Sequence, residues 1–209
     1  MGYARKLRQS FFISAVTLSE LPNGRLQYTY KASLIGSAYR FELVDNELQW
    51  QVGGRSGAWP LASIAMVRLS YRPVSMQSRR FRTDILNERG ERVSILSTTW
   101  QTVALMEPQD NSYREFVLAL HRRLKAIGSH ASFVAGLSPW VYQAGLGVLA
   151  LVAVAIVGMF LRAAWTGLWA GAAFLVAFAA LFVWQVGGFM RRNRPRGYSA
   201  DNVPNDLIP

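Results

Sequence analysis

Two long stretches near the C-terminal end of this 209-residue chain carry almost no charge. Residues 139–190 contain one charged side chain, Arg162, in 52 positions. Residues 140–161 would extend roughly 33 Å as a helix, which is enough to cross a hydrocarbon core of about 30 Å. Residues 167–190 form a second stretch without any charge. Because neither stretch has a polar stripe, the sequence predicts a transmembrane helical hairpin over residues 139–190.

The rest of the chain has a different composition. Residues 1–138 carry 18 Lys and Arg against 10 Asp and Glu, so the two parts suit different solvents. A buried helical hairpin in a water-soluble protein is the alternative, but the rest of the chain is too short to enclose one. The chain has no cysteine, which excludes disulfides, thiolate metal ligands and a cysteine nucleophile.

Basic residues flank the two apolar stretches and predict how they are oriented. Those before the first stretch are Arg122, Arg123 and Lys125, and those after the second are Arg191, Arg192, Arg194 and Arg196. The short connection between the stretches has only Arg162. Because Lys and Arg are retained on the cytoplasmic side, we expect both termini to be cytoplasmic in a bacterial-type inner membrane.

Aromatic and small residues complete the pattern of the hairpin. The aromatic residues at its boundaries are Trp140, Tyr142, Trp165, Trp169 and Trp184, which suits interfacial belts. Gly167 and Gly171 begin a small-residue face on the second stretch. We interpret this face as packing the hairpin against itself, and docking of another membrane protein is the sharper alternative. A homo-oligomer is left open.

The first part of the chain predicts short strands followed by one helix. Polar and apolar residues alternate over residues 25–31, 39–43, 47–52 and 67–72, and two further runs cover 79–87 and 92–98. The turn at residues 22–24 predicts a hairpin with residues 11–18. Residues 45–46 form a tight turn, and the glycine-rich residues 53–57 form a loop. This spacing indicates a mostly antiparallel sandwich or open barrel.

A helix is predicted to close this domain. Ser112 followed by Glu115 is a capping-box pattern. An apolar stripe consists of Tyr113, Phe116, Val117, Leu120, Leu124 and Ile127. The polar side is predicted to carry Arg114, His121, Arg122 and Lys125, and Gly128 ends the helix.

The order of these elements resembles that of bacterial PH-like (pleckstrin-homology-like) domains. The resemblance covers residues 38–128 and includes the strands at 39–48, the glycine loop and residues 60–67. It implies an α+β fold in which a bent, mostly antiparallel sheet is capped by a C-terminal helix and used for binding. The loop that is basic in eukaryotic relatives holds Asp45 and Glu47 here, so phosphoinositide binding is not expected.

These patterns divide the chain into four parts. Residues 1–35 form a basic segment and a β-hairpin, residues 36–130 the PH-like domain, residues 139–190 the transmembrane hairpin, and residues 191–209 a basic stop and an extended tail. The tail is predicted to be disordered. The alternative is that Val203, Leu207 and Ile208 dock it on the domain or on a partner.

A basic patch is the candidate binding surface. It comprises Arg68, Arg72, Arg79, Arg80 and Arg82, with Arg5, Lys6 and Arg8 as additional members. Contact with anionic lipid and a merely solvated face both remain open. The net charge of +11 would also suit binding to nucleic acid. However, the sequence has no recognition motif, so nucleic-acid binding is not expected.

Catalysis is not predicted. His121 and His130 are interpreted as surface or junction residues, and the sequence indicates no catalytic residue, metal site or cofactor. We therefore expect a membrane-anchored PH-like scaffold that recruits or organises protein partners, with contact to anionic lipid as one interpretation of its basic patch. An accessory subunit or assembly factor that acts through its hairpin is the first alternative, and a membrane-bound enzyme is the second.

Overall fold

The computed structural model of the chain describes residues 19–21, 25–73, 79–102 and 105–209. These residues form an α+β structure of antiparallel sheets and three helices. The helices are α1 (Asp110–Ala126), α2 (Pro139–Trp165) and α3 (Trp169–Arg192). The strands are β1 (Ser19–Leu21), β2 (Arg25–Tyr30), β3 (Tyr39–Val44), β4 (Glu47–Val52), β5 (Arg55–Pro60), β6 (Ile64–Tyr71), β7 (Phe81–Asn87), β8 (Arg92–Leu96), β9 (Thr98–Trp100), β10 (Met106–Pro108), β11 (Ser132–Ala135) and β12 (Arg196–Gly197).

The first sheet is an antiparallel meander in the order β1-β2-β3-β4-β5. It confirms the strands predicted from alternation, whereas residues 11–18 of the predicted hairpin lie outside the described residues. The predicted loop at residues 53–57 is wrong, because Gly53 and Gly54 alone make the turn. Their φ angles of 56° and 80° suit a two-residue hairpin turn. The chain therefore re-enters the sheet at Arg55, opposite Val52.

The second sheet has the order β12-β11-β6-β7-β8. Strands β6, β7 and β8 are antiparallel and were predicted, but β11 and β12 were not. Strand β11 runs parallel to β6, and β12 pairs with β11. Both added strands have at most four residues, which is too short for alternation to reveal them. A separate pair, β9 and β10, was also missed.

Helix α1 covers the core between the sheets. Its predicted apolar stripe is confirmed, since Tyr113, Phe116, Val117, Leu120 and Leu124 are fully buried. The predicted capping box is wrong. The helix begins at Asp110, two residues before Ser112, and its N-cap residue, Gln109, makes no side-chain capping bond.

The tail lies on the domain, so the prediction of a disordered tail is wrong. Leu207 and Ile208 are buried in the core, as the docking alternative requires. The chain end is held on α1, because Arg114 donates a hydrogen bond to the carbonyl oxygen of Pro209 (2.7 Å). Lys125 pairs with Asp201 at 2.6 Å, although both side chains are exposed. The tail thus extends the domain beyond α3.

His121 lies beneath this tail instead of on the polar side of α1, so its predicted exposure is wrong. His121 is 1% exposed, and its ring forms a cluster of tilted rings with Phe133 and Tyr198. Nδ1 is 2.7 Å from the carbonyl oxygen of Val117, which can only accept, so Nδ1 carries the hydrogen. Nε2 then accepts from the hydroxyl of Tyr198 at 2.8 Å. A neutral imidazole satisfies both contacts.

We expect the protein to lose stability as the pH falls below about 6.5 because of His121. Burial lowers the pKa of His121 from its ordinary value of 6.5, and the bond to Val117 only partly opposes this. The unfolded chain therefore binds the proton more readily than the folded one. The stability is fully present above pH 6.5 and is lost as the pH falls through the folded pKa. Thermal unfolding at about pH 7.5 and 5.5 measures the loss.

Two variants separate this effect from other titrations. His121→Gln should remove most of the difference in unfolding temperature between the two pH values. His130→Gln, at an exposed histidine, should retain it. An undiminished difference in His121→Gln would assign the pH dependence to other groups.

Helices α2 and α3 are long and apolar enough to cross a membrane, and both are almost entirely exposed. Helix α2 continues through Trp165, so Arg162 lies in its last turn and the connection is shorter than predicted. Gly167 lies in this connection with φ 71°. A Cβ on Gly167 would meet nothing within 4 Å, and one on Gly171 would meet only Leu168. Packing of the hairpin against itself through the small-residue face that these glycines begin stays a prediction.

Candidate functional site

The outer face of the second sheet gathers most of the predicted basic patch. Register places Arg68 opposite Asp84 on β7, and Ser70 opposite Arg82. Beyond the end of β6, the amide of Arg72 donates to the carbonyl oxygen of Arg80 at 2.8 Å. Since alternate residues share a face, one surface carries Arg68, Arg72, Arg80 and Arg82, which we call the arginine face.

One carboxylate lies within the arginine face. Arg82 donates from Nε to Oδ1 of Asp84 (2.8 Å) and from Nη2 to Oγ of Ser94 (3.0 Å). Ser94 in turn donates to the same Oδ1 at 2.5 Å. Asp84 is 7% exposed, so this network is well shielded from solvent. It compensates the charge of Arg82 but leaves Arg68, Arg72 and Arg80 without an ion pair in the described part of the chain.

Crowding of like charges follows from this arrangement. Partial burial lowers the pKa of Arg72, and the charge of Arg82 adds to that shift, whereas Asp84 opposes it and Arg68 lowers the pKa further. Burial also lowers the pKa of Arg80, and Arg82 and Arg72 lower it further. A bound anion would relieve this repulsion. The arginine face therefore has the electrostatics of an anion-binding surface.

Two buried polar atoms on the same strand have unused hydrogen-bonding capacity. Nε of Arg68 and Oγ of Ser70 have no hydrogen-bond partner among the described residues. Buried donors of this kind are normally satisfied. Both atoms are buried beneath the arginine face, so they are not donors on its exposed surface.

Arg79 departs from the predicted patch. Burial raises the pKa of Asp110 at the start of α1, and the nearby charge of Arg79 opposes that shift. Arg92 joins the arginine face instead, because its charge contributes to the lowered pKa of Arg72. The sequence could have indicated Arg92 as a member of the arginine face, because Arg92 and Ser94 are alternate residues of β8. Arg5, Lys6 and Arg8 lie outside the described residues.

The arginine face begins beside the base of the hairpin. Asn193 directly follows α3 and is fully buried. Its Oδ1 accepts a hydrogen bond from the amide of Tyr71 (3.0 Å), and its Nδ2 donates to the carbonyl oxygen of Tyr71 (2.9 Å). The guanidinium of Arg192 lies 5.0 Å from the centre of the Tyr71 ring, within cation–π range. Tyr71 immediately precedes Arg72. The contacts of Asn193 and Arg192 with Tyr71 therefore place the end of α3 next to the arginine face.

Comparison with protein-family models, with curated proteins and with solved structures found no match to the chain.

The predicted interfacial aromatic residues occupy both ends of the hairpin. Trp140 lies in the first turn of α2, Trp165 ends that helix, and Trp169 begins α3. Trp184, which is 79% exposed, does not pack between the helices. Tyr142 is half-exposed. This distribution fits aromatic side chains at two interfaces, and their depth in a bilayer stays a prediction.

The basic residues that were used to predict orientation also make contacts within the chain. Arg123 donates to the carbonyl oxygen of Asp45 at 2.9 Å, and Arg196 pairs with Asp206. Arg122, Arg191 and Arg194 are exposed. These residues leave an excess of positive charge on the domain side of the hairpin.

Within the part of the chain that the structure describes, His121 makes no contact with Asp84 or Glu42, the carboxylates that could support it as a catalytic base. His121 is bonded to Val117 and Tyr198, whereas Asp84 is bonded to Arg82 and Ser94. Glu42 lines a groove of about 320 Å³ on the first sheet together with Arg40 and Trp50. The described contacts therefore supply no acid–base pair around His121.

Proposed function

We propose that the chain is a membrane-anchored, PH-like binding module at the cytoplasmic face of a bacterial-type inner membrane. Two mostly antiparallel sheets with α1 across their core support the PH-like assignment. Two exposed apolar helices support the membrane anchor. The module scaffolds protein partners, and its arginine face contacts anionic lipid. No catalytic residue is assigned.

A pairing across the hairpin supports the proposed two-span topology independently of the basic residues. Strand β11 precedes α2 and β12 follows α3, and the two strands pair through Val134 opposite Gly197. This pairing supports a topology in which both ends of the hairpin lie on one side of the membrane. The positive-inside rule assigns that side to the cytoplasm.

The observation that carries the proposed lipid contact is the clamp of Asn193 on Tyr71. It fixes the start of the arginine face where α3 leaves the proposed bilayer. Near an anionic leaflet each arginine contributes about 1 kcal/mol.

Removing Arg72 and Arg80 should withdraw the arginine face from anionic lipid. The chain has no cysteine, so Pro73→Cys provides a single labelling position on the exposed residue after Arg72. A fluorophore there should be quenched by lipid-borne quenchers in anionic vesicles. In Arg72→Gln/Arg80→Gln the quenching should fall to the level found in zwitterionic vesicles, because roughly 2 kcal/mol of attraction is lost.

The other end of β7 supplies the matched controls. Arg89 lies in the turn after β7, so a label on Arg89→Cys should show little quenching. Arg89→Gln should leave quenching at position 73 unchanged. Equal quenching in anionic and zwitterionic vesicles would show that the arginine face does not contact lipid charge.

Partner recruitment needs a separate test because the hairpin itself is the alternative recognition element. We would replace residues 139–192 with an unrelated hairpin and crosslink both forms in native membranes. The proposed function predicts that mass spectrometry identifies the same crosslinked partners for both forms. Loss of those partners on replacement would assign recruitment to the hairpin and favour an accessory subunit or assembly factor.

A further inference from the structure

A cavity of about 760 Å³ lies at the base of α3, apart from the arginine face. Its walls come from the last two turns of α3 and from the tail that folds back beneath them. The residues that define this headgroup groove are Trp184, Gly187, Gly188, Arg191, Arg196 and Asp206. The groove therefore spans the point where an apolar helix becomes basic.

The charges of the headgroup groove are only partly compensated. Asp206 is its carboxylate, and both oxygens of that group are held by Nη2 of Arg196 at 2.5 and 2.6 Å. Arg192 also lines the groove and packs over Tyr71. Arg191 is exposed and has no ion pair within the described residues. Three arginines against one aspartate leave an excess of two positive charges.

Two glycines keep the groove open along the helix. A Cβ added to Gly187 or to Gly188 would meet nothing within 4 Å. Both glycines therefore border open space, which a larger side chain would occupy. Glycine lowers helix stability by about 1 kcal/mol relative to alanine. No neighbouring backbone comes close enough to Gly187 or Gly188 to require a glycine there.

The upper end of the groove is apolar. Trp184 is 79% exposed, and the neighbouring Val183 and Leu181 also present their side chains outward. A free anion would contact only the arginines. A phospholipid would place its phosphate on the arginines and an acyl chain along Trp184, and it would match both ends of the groove.

We propose that the headgroup groove binds one anionic phospholipid, with Arg191 as its main phosphate contact and Arg196 as a second. The proposal rests on the membrane anchor of the proposed function, but not on the arginine face or on recruitment of partners. Basic sites beside helix ends on the cytoplasmic side suit such headgroups. Asp206 limits the affinity because it competes with the phosphate for Arg196.

The test uses the full chain, purified in a non-ionic detergent and titrated with phosphatidylglycerol while bound lipid is counted by native mass spectrometry. One molecule of phosphatidylglycerol should bind, and phosphatidylcholine should bind more weakly. Arg191→Gln should weaken phosphatidylglycerol binding about fivefold. Asp206→Asn should strengthen it, because Arg196 is released.

Matched variants separate the groove from general charge. Arg162→Gln removes the same charge at the opposite end of the hairpin and should leave binding unchanged. Gly188→Leu fills the groove without changing charge and should reduce phosphatidylglycerol binding at least as much as Arg191→Gln. Because position 188 has open space, Gly188→Leu should unfold at the wild-type temperature or above it.

Three results would overturn the proposal. They are equal binding of the two lipids, equal effects of Arg191→Gln and Arg162→Gln, and displacement of phosphatidylglycerol by inorganic phosphate at equal concentration. Extraction of native membranes with alkaline carbonate distinguishes the causes. Release of the chain without detergent would contradict both the proposed membrane anchor and the proposed lipid site. If the chain stays in the membrane but does not bind phosphatidylglycerol, only the proposed lipid site is contradicted.

Discussion

Replacing Leu207 with alanine should lower the free energy of unfolding by about 2–5 kcal/mol. Leu207 is two residues from the end of the chain, yet its side chain is 0% exposed and belongs to the main core. Truncation removes buried apolar surface and leaves a cavity that the surrounding side chains fill only in part. Chemical denaturation of the full chain in detergent, followed by tryptophan fluorescence, measures the loss.

Two controls distinguish core packing from a general effect of the tail. Val203→Ala removes a half-buried side chain and should have a clearly smaller effect. Asp201→Ala breaks an exposed ion pair with Lys125 and should change the free energy of unfolding by at most about 1 kcal/mol. A Leu207→Ala variant as stable as Asp201→Ala would show that the tail is not part of the core.

The buried tail makes the hairpin an insertion within the domain instead of an appendage at its end. Strand β11 lies before the hairpin, and β12 and Leu207 lie after it. The domain therefore completes its second sheet and its core only when the chain returns from α3. Loss of the tail should weaken the domain and the base of the hairpin together.

Local pattern predicted the elements whose burial follows their own periodicity. Alternation located β2, β3, β4, β6 and β7 to within a few residues, and a stripe such as Phe116, Leu120 and Leu124 identified the buried side of α1. The apolar helices followed from charge and length alone. Each of these signals is contained in a single stretch of sequence.

Contacts between distant parts of the chain explain what the sequence did not reveal. His121 reads as polar on the α1 helix but is covered by Tyr198, which is 77 residues away. The clamp of Asn193 on Tyr71 spans 122 residues. The arginine face was predicted from composition, but its internal compensation through Asp84 and Ser94 depends on register between strands. Such pairings have no local periodicity.

Gly136→Ala should disrupt the junction between the domain and the hairpin. Gly136 lies between β11 and α2 with φ 86°, a conformation that favours glycine. An added Cβ would lie 2.5 Å from the carbonyl oxygens of both Asn193 and Arg194. Because these are backbone atoms, no side chain can move aside. Backbone strain and overpacking together predict a loss of roughly 2–6 kcal/mol.

Gly128→Ala is the matched control for this prediction. Gly128 has φ 64°, but a Cβ there would meet nothing within 4 Å, so it reports the strain alone, about 1–2 kcal/mol. Thermal unfolding of the full chain compares the two variants.

Hydrogen exchange then locates the damage. In the wild type, the amide of Leu137 donates to the carbonyl oxygen of Asn193 at 3.0 Å, and the amide of Tyr71 donates to its side chain. Both amides should exchange faster in Gly136→Ala and at the wild-type rate in Gly128→Ala. The prediction would be contradicted if the two variants were equally stable and exchange at Tyr71 and Leu137 were unchanged. The contact of Gly136 with the backbone of Asn193 and Arg194 would then not stabilise the junction between the domain and the hairpin. The hydrogen bonds between Asn193 and Tyr71 also position Arg72. Their loss in Gly136→Ala should therefore abolish lipid quenching of a label at position 73, although no arginine has been replaced.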